Sequence, residues 1–307
     1  MTLGDPGLKR VVVAGGTGLV GRPLVEALVA QGVQVTVLSR NPGSLSLPTG
    51  VLAHGWTGLS ALLDGTDAVI NLAGEGIAEE RWSAPRKEAI RRSRTEATAR
   101  LATAMGTCAH PPRALVNASA IGYYIPRNEV PIDELAPAGA GFLAEVCQAW
   151  EAEARTAEGV GVRVAILRIG VVLARGGGAL PQMARPVRWF AGCKLGSGQQ
   201  GLSWIHLDDL VAMLIEAAGN PDWRGVFNGT APQPLSNAAF TRHIAQRLHR
   251  PLLPVPGPLT AIATKVLLGE MAEALLLQGA FVLPARAQAM GFTFRFPTAQ
   301  AALEDLL

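Results

Sequence analysis

The stretch VVVAGGTGLVGRPLVEALVAQGVQVTVLSR, residues 11–40, decides the fold that this sequence predicts. Its first four residues are apolar and mostly β-branched, as in buried parallel strands, and a glycine-rich turn follows them. Residues 19–30 carry apolar side chains at helical spacing, and residues 33–38 predict a second strand. The order strand, glycine turn, helix and strand is typical of units that bind the pyrophosphate of a dinucleotide.

Three glycines at GxxGxxG spacing give the physical reason for this prediction. A tight turn needs backbone angles that glycine adopts at low cost, and a pyrophosphate approaches the backbone closely only where no side chain intervenes. The N-terminus of the following helix then presents free N–H groups to the phosphates. We therefore predict cofactor contacts from the turn and the start of the helix, at Gly15, Thr17, Gly18, Leu19, Val20 and Gly21.

The end of the second strand predicts which dinucleotide is bound. An acid at this position hydrogen-bonds the ribose 2′-hydroxyl of NAD and would repel the 2′-phosphate of NADP. Here Ser39 stands near that position, and Arg40 follows it with a planar guanidinium suited to phosphate. The sequence favours NADP(H) over NAD(H), with an ordinary solvent-exposed arginine as the alternative.

Further strands and helices alternate along the chain. Strands are predicted at residues 67–74, 114–124 and 162–173, and helices at residues 83–105 and 142–158. This alternation predicts an α/β fold with a doubly wound parallel sheet, whose ligands bind beyond the carboxyl ends of the strands. Further cofactor contacts are therefore expected from the strand ends, at Asn71, Leu72, Ala73, Gly74, Ala118 and Arg168.

The chain after about residue 171 is rich in loops and prolines, which predicts a smaller C-terminal lobe that closes over the crevice.

Composition supports a globular chain, since 49% of the 307 residues are hydrophobic and 17% are charged. Residues 266–283 are apolar but contain Glu270, Glu273 and Gln278, so they predict a buried helix and not a membrane span. Residues 1–10 lack the apolar core of a signal peptide.

The net charge and the cysteine content limit which partners and which cellular compartment are expected. The net charge of +3 is mild for this length and does not favour nucleic acid. Three cysteines without a CxxC motif fit free thiols in a reducing compartment. We expect a cytoplasmic protein with a small-molecule substrate and with no nucleic-acid or membrane partner.

Several motifs resemble those of a known superfamily. GGTGLVG, NLAG and ASAIGYY resemble the extended short-chain dehydrogenase/reductase (SDR) superfamily. GFLAEVCQAWE, LRIGVVLARGGGAL and SWIHLDDL are similar to an atypical branch of the NAD-dependent epimerase/dehydratase-like family, the sugar-nucleotide epimerase-like proteins with a C-terminal domain of unknown function.

That resemblance implies an NAD(P)-binding Rossmann domain over residues 8–230, with substrate-lobe insertions after about residue 171. It also implies a C-terminal helical, substrate-side domain over residues 231–307, bound NADP(H), and a homodimer paired through the helices that begin near residues 83 and 142. A sugar nucleotide as the substrate would rest on fold alone.

The catalytic pair that the resemblance implies, Tyr-xxx-Lys, is absent. The only tyrosines are Tyr123 and Tyr124, and no lysine lies between residues 88 and 193. Ser119 falls where the family's serine is expected. A different acid or base could act, with Tyr123, Glu145 or Cys147 as candidates. Alternatively, the substrate supplies the proton transfer, or the protein binds NADPH as a regulator or scaffold without catalysis.

The remaining candidates concern the substrate. Residues 81–100 are basic, so Glu75, Arg91 and Arg94 could face a phosphorylated or carboxylated substrate, although a solvated helix face is the simpler interpretation. Lys194 and Trp204, in the loop-rich region, are also predicted substrate contacts. His206, Asp208 and Asp209 form a weak metal pattern, so no metal is expected, and one of the two acids is predicted to cap a helix that begins at Leu210.

Overall fold

The computed structural model describes residues 7–307, apart from the side chains of residues 127–129. Residues 1–6, which belong to the segment predicted not to be a signal peptide, lie outside the described residues.

The centre of the molecule is a seven-stranded parallel sheet, as the alternating pattern predicts. Its strand order is β11-β7-β5-β4-β1-β2-β3. These strands are β1 (Arg10–Ala14), β2 (Gln34–Leu38), β3 (Leu52–His54), β4 (Ala68–Asn71), β5 (Ala114–Ala120), β7 (Arg163–Ile169) and β11 (Gly225–Gly229). The doubly wound α/β fold is confirmed, and β11, from the C-terminal part of the chain, completes the sheet beside β7.

Short strand pairs lie outside the central sheet. They are formed by β6 (Arg127–Ile132), β8 (Val171–Leu173), β9 (Gly201–Leu202), β10 (Trp204–His206), β12 (Leu235–Ser236) and β13 (Ala280–Val282). The pairs are β10 with β8, β12 with β9, and β13 with β6.

Helices cover both faces of the sheet and build the C-terminal lobe. They are α1 (Gly21–Ala30), α2 (Leu59–Leu63), α3 (Ala84–Met105), α4 (Phe142–Arg155), α5 (Ala179–Arg188), α6 (Leu207–Gly219), α7 (Asn237–Leu248), α8 (Gly257–Leu268), α9 (Glu270–Ala272), α10 (Ala285–Ala289) and α11 (Ala299–Leu306). One face of the sheet packs on α1 and α6, and the other on α2, α3 and α4. Within the described part of the chain, no helix has both the length and the apolar character that crossing a bilayer requires.

The smaller C-terminal lobe has a core of its own. This core brings together side chains from α5, α7 and α11, and it includes Trp204 and Phe240. Both aromatic side chains are fully buried. The Trp204 indole Nε1 donates a hydrogen bond to the Gln233 carbonyl at 3.1 Å. Trp204 is therefore a packing residue, and its prediction as a substrate contact is wrong.

Two local predictions also need correction. Residues 162–173 are not one strand, because the backbone changes partner at Gly170: β7 ends at Ile169 beside β11, and β8 begins at Val171 beside β10. A side chain at Gly170 would lie 2.6 Å from the Ser203 carbonyl oxygen, so glycine allows this close approach. Helix α6 begins at Leu207, and His206 caps it by accepting the Asp208 N–H. The Asp209 carboxylate instead accepts the N–H groups of Arg295 and Phe296, at 2.7 and 3.0 Å.

Trp204→Ala tests the second core. The substitution should lower the free energy of unfolding by about 3–5 kcal/mol, because it opens a cavity among fully buried side chains. Trp189→Ala is the matched control, since the Trp189 side chain is 77% exposed, and its effect should stay within about 0.5 kcal/mol. Denaturant titration of both variants measures the difference, and equal losses would contradict the described packing.

Candidate active site at the carboxyl ends of the central strands

A crevice opens where the chain order of the sheet reverses, between β1 and β4. Its volume is about 760 Å³. Ligands of open α/β sheets bind at this kind of position. Predicted site residues that line it are Gly15, Thr17, Gly18, Ser39, Arg40, Leu72, Ala73, Gly74 and Glu75.

The glycine turn is shaped by two close backbone approaches. Gly15 has a φ of +80°, and a side chain there would lie 2.7 Å from the Leu72 carbonyl oxygen. A side chain at Gly21 would lie 2.1 Å from the Gly15 carbonyl oxygen. At Gly18 the nearest atom to an added Cβ is the Gly15 carbonyl oxygen, at a van der Waals distance of 3.4 Å, and Gly18 lines the crevice. Gly15 and Gly21 therefore fold the turn, whereas Gly18 keeps the crevice clear for a ligand.

The start of α1 fits a diphosphate. The Gly18 N–H donates to the Gly15 carbonyl at 3.1 Å, while the N–H groups of Leu19 and Val20 donate to no protein group among residues 7–307. Free N–H groups at a helix N-terminus attract anions through hydrogen bonds and the helix dipole. The Leu19 side chain points elsewhere and packs near Gly177 and Gly178.

The wall at the end of β2 is cationic. Arg40 is exposed, and within the described residues its guanidinium has neither a hydrogen bond nor an ion pair. The Ser39 hydroxyl accepts the Asn41 N–H at 3.1 Å. Arg100 lies on the same wall, where it donates to the Trp56 carbonyl and its guanidinium lies 5.3 Å from the centre of the Trp56 ring. No acid neutralises Arg40, so it remains free to bind an anionic group.

Asn71 acts behind the crevice and not in it. Its buried side-chain amide donates to Thr98 at 2.8 Å and to Asn117 at 2.7 Å, and its carbonyl accepts the Ala73 N–H at 3.1 Å. These bonds hold the turn after β4 in shape. Ala118 is likewise buried within β5 and does not line the crevice.

A buried ionic cluster lies at the carboxyl ends of β5 and β7. Ser119 donates its hydroxyl hydrogen to Glu151 at 2.7 Å. Arg168 binds the same carboxylate through two hydrogen bonds, at 2.7 and 2.8 Å. The side chains of Arg168 and Glu151 are only 3% and 5% exposed. The sequence interpretation missed Glu151, although it shares a buried helical stripe with Ala144, Cys147 and Ala154, which was the available signal.

Arg168 also contacts both tyrosines. It donates to the Tyr124 hydroxyl at 3.0 Å, and that hydroxyl donates to Asn228 at 2.7 Å. Burial raises the pKa of Tyr124 to about 12. Burial opposes the charge of Arg168, but the hydrogen bonds and charge of Glu151 outweigh it and raise the pKa of Arg168. Because its guanidinium is held by these groups and does not line the crevice, the prediction of Arg168 as a direct cofactor contact is corrected.

Tyr123 is the tyrosine with a free hydroxyl. Its ring lies against the Arg168 guanidinium, with 3.2 Å between the central carbon and the ring centre. Its hydroxyl makes no hydrogen bond within the part of the chain that the structure describes, so it can bind another group. Ser119 and Tyr123 lie next to the crevice but are not among the residues that line it, and their catalytic roles stay predictions.

The other two catalytic candidates lie in different surroundings. Burial raises the pKa of the Cys147 thiol to about 11, so this cysteine is protonated and poorly nucleophilic near neutral pH. Glu145 is exposed in the first turn of α4 and does not join the buried cluster.

The predicted substrate residues separate into two groups. Glu75 lines the crevice and forms an ion pair of 2.6 Å with Arg86. Arg94 donates to the Glu75 carbonyl at 2.9 Å and packs over Gly74, so it supports the crevice wall. Lys194 is exposed in the C-terminal lobe and does not line the crevice.

Among residues 7–307, no three His, Cys, Asp or Glu side chains converge as metal ligands do.

The topology and the glycine turn define a Rossmann-type α/β protein with a crevice at the carboxyl ends of its strands. The sequence model of the NAD dependent epimerase/dehydratase family matches residues 11–228, and that of a domain of unknown function, DUF1731, matches residues 259–306. This chain belongs to the NAD-dependent epimerase/dehydratase family.

Relatives cover nearly the whole chain. An epimerase family protein of Staphylococcus saprophyticus, SSP1921, is 38% identical over 98% of this chain and 100% of its own. The chloroplastic SDR39U1 homolog of Arabidopsis thaliana is 40% identical over 97% of this chain and 86% of its own. The crystal structure of human SDR39U1 with NADPH has a TM-score of 0.86 and 36% identity, and covers 97% of this chain and 98% of its own. The resemblance to SDR epimerases is confirmed.

Glu151→Gln tests the buried cluster. The change leaves the Arg168 charge without its counter-ion, and we expect the free energy of unfolding to fall by about 3–5 kcal/mol. Glu145→Gln on the same helix is exposed, and it should change stability by less than about 0.5 kcal/mol. Urea titration of both proteins compares them, and a tolerated Glu151→Gln change would refute the ion pair as a structural element.

Proposed function

We propose that this protein binds NADP(H) and acts as an epimerase-family oxidoreductase on a small molecule, with an active site that lacks the Tyr-xxx-Lys pair. The observation that carries the cofactor choice is the unpaired, exposed Arg40 on the crevice wall, at a strand end that has no acid. The human relative crystallised with NADPH supports the same choice. We also propose that the protein is cytoplasmic and that it forms a homodimer.

Different residues of the chain would bind different parts of this cofactor. The free N–H groups of Leu19 and Val20 would hold the pyrophosphate, and Gly18 beside them presents no side chain to the crevice that it lines. Arg40 would bind the 2′-phosphate, with Ser39 beside it. The backbone of Leu72, Ala73 and Gly74 would lie along the adenosine or ribose side. When bound, the nicotinamide supplies hydride chemistry.

Ser119 and Tyr123 would then position the reacting oxygen of the substrate, Ser119 as a hydrogen-bond acceptor for a hydroxyl and Tyr123 as the proton donor or acceptor. Because the Ser119 hydroxyl donates its own hydrogen to Glu151, its oxygen is oriented to accept a hydrogen bond from a substrate hydroxyl. The Tyr123 hydroxyl, to which the described residues make no hydrogen bond, would donate or accept the proton. The Arg168 guanidinium packs against the Tyr123 ring, with 3.2 Å between its central carbon and the ring centre, and this contact positions the tyrosine.

A second function has an observation of its own. Ser119 is only 3% exposed and is held by Glu151, and no lysine lies between residues 88 and 193. A protein that binds NADPH and signals its presence, without catalysis, would need only the crevice. This alternative is an NADPH-binding regulator or scaffold.

Arg40→Ala tests the cofactor proposal. Loss of charge-assisted hydrogen bonds to the 2′-phosphate should raise the dissociation constant of NADPH by about 10- to 100-fold and leave that of NADH within about threefold. Arg10→Ala, at the amino end of β1, is the matched control and should bind both cofactors as the parent protein does. Calorimetric titration measures both constants. An equal loss for NADPH and NADH, or tighter NADH binding by the parent protein, would contradict the proposal.

Tyr123→Phe separates the enzyme from the regulator. NADPH oxidation is followed by absorbance with a panel of carbonyls and quinones. If the protein is an enzyme, Tyr123→Phe and Ser119→Ala should each lower turnover by about 100-fold or more, while NADPH binding stays unchanged. Glu145→Gln, which alters the other candidate acid, should retain turnover. Tight NADPH binding without turnover by the parent protein across the panel would support the regulator and reject the enzyme.

A further inference from the structure

Two aromatic side chains project from the C-terminal lobe at the end of α5. Trp189 is 77% exposed and Phe190 is 54% exposed. Neither belongs to a core cluster, and they are adjacent in sequence at the surface. Single exposed apolar residues are ordinary on protein surfaces. Two adjacent large aromatic side chains instead indicate a surface that binds another molecule.

The backbone at Phe190 strengthens this interpretation. Phe190 has a φ of +57°. Its N–H donates to the Val187 carbonyl, and the Ala191 N–H donates to the Pro186 carbonyl, which together form the Schellman ending of α5. Glycine is the residue that this left-handed position favours. An exposed phenylalanine at this position lowers the stability of the fold and adds no packing to a core. Its presence therefore indicates a role in binding and not in folding.

Arginines surround the two aromatics. Arg188 precedes them on α5, and the Arg250 guanidinium lies 4.6 Å from the centre of the Phe190 ring. Next to Arg250 is an open groove of about 530 Å³, lined by Arg242, Ala245, Gln246, His249, Arg250 and Leu252. Within the described residues, Arg188, Arg242 and Arg250 have no ion pair with an acid. Their positive charge is therefore uncompensated and complements an anionic surface.

The chain around this region excludes acids. No Asp or Glu occurs between Glu158 and Asp208, or between Asp222 and Glu270. The net charge of the whole protein is only +3, so the positive charge is concentrated in this lobe. In the central domain, by contrast, Arg91 and Arg92 on α3 pair with Glu88 and Glu96 of the same helix.

We propose that the surface formed by Arg188, Trp189, Phe190, Arg242 and Arg250, here called the aromatic–arginine face, docks the protein onto an anionic lipid bilayer. Tryptophan and phenylalanine side chains enter the headgroup region, and arginines bind the lipid phosphates. Each cation near such a membrane contributes about fivefold in affinity. The expectation of no membrane partner rested on the lack of a spanning segment, and surface docking needs none.

A bilayer fits this face better than a nucleic acid does. Single-stranded nucleic acids stack on aromatics, but they offer no environment for aliphatic side chains. Leu253 is 44% exposed. Its N–H donates to the carbonyl of Gly192, two residues after Phe190, so Leu253 lies close to the aromatic–arginine face. Aliphatic and aromatic side chains together favour lipid.

Vesicle flotation of the full chain tests the proposal, with phosphatidylcholine alone and with added phosphatidylglycerol. The parent protein should float only with the anionic vesicles, and added salt should weaken its binding. Phe190→Gly is the decisive variant, because it relieves the left-handed backbone. We expect an unchanged or higher melting temperature and about tenfold weaker vesicle binding. The double variant Arg188→Gln/Arg250→Gln should bind roughly 30-fold more weakly.

Leu52→Ala and Lys9→Gln are the matched controls, since both residues are exposed in the central domain. They should leave vesicle binding unchanged, and all variants should bind NADPH as the parent protein does, which separates this test from that of the proposed cofactor. Three results would overturn the proposal: no flotation with anionic vesicles, undiminished flotation of Phe190→Gly, or binding of a single-stranded oligonucleotide in place of vesicles. A dimer that dissociates in Phe190→Gly without vesicle binding would assign the face to a second copy of the chain.

Discussion

The close approach of three backbone segments, at Gly15, Gly21 and Leu72, is the constraint on which the site depends. Side chains at either glycine would collide with carbonyl oxygens, at 2.1 Å for Gly21 and 2.7 Å for Gly15. Only glycine lets the end of β1 turn directly into α1 while β4 ends beside it. This contact fixes the helix N-terminus at the mouth of the crevice, where its free N–H groups meet a ligand.

A second constraint organises the reacting end of the site. The buried pair of Glu151 and Arg168 connects α4 with β7, and its hydrogen bonds extend to Ser119 on β5 and, through Tyr124, to Asn228 on β11. A buried ion pair is maintained only when its remaining hydrogen-bonding groups are satisfied, as they are here. The network holds a cation against Tyr123 from the β7 side, in a chain that has no lysine for the family's usual position.

Patterns local in sequence predicted most of the fold and the cofactor side of the site. The βαβ unit at residues 11–40 contains its own periodicity and turn glycines, so Gly15, Gly18 and Arg40 could be placed from the sequence. Glu151 and Trp204 could not, because their surroundings come from distant segments. Glu151 is defined by Arg168 on β7, and Trp204 by a core that α7 and α11 complete. The break at Gly170 likewise depends on another segment, since β8 pairs there with β10.

The proposed binding of NADP(H) depends most directly on the N-terminus of α1 as the diphosphate site. Amide hydrogen exchange, measured residue by residue with and without NADPH, tests it directly. The N–H groups of Leu19 and Val20, which donate to no protein group among the described residues, should exchange more slowly once NADPH is bound. Unchanged exchange at both amides, with protection appearing elsewhere in the chain, would contradict it.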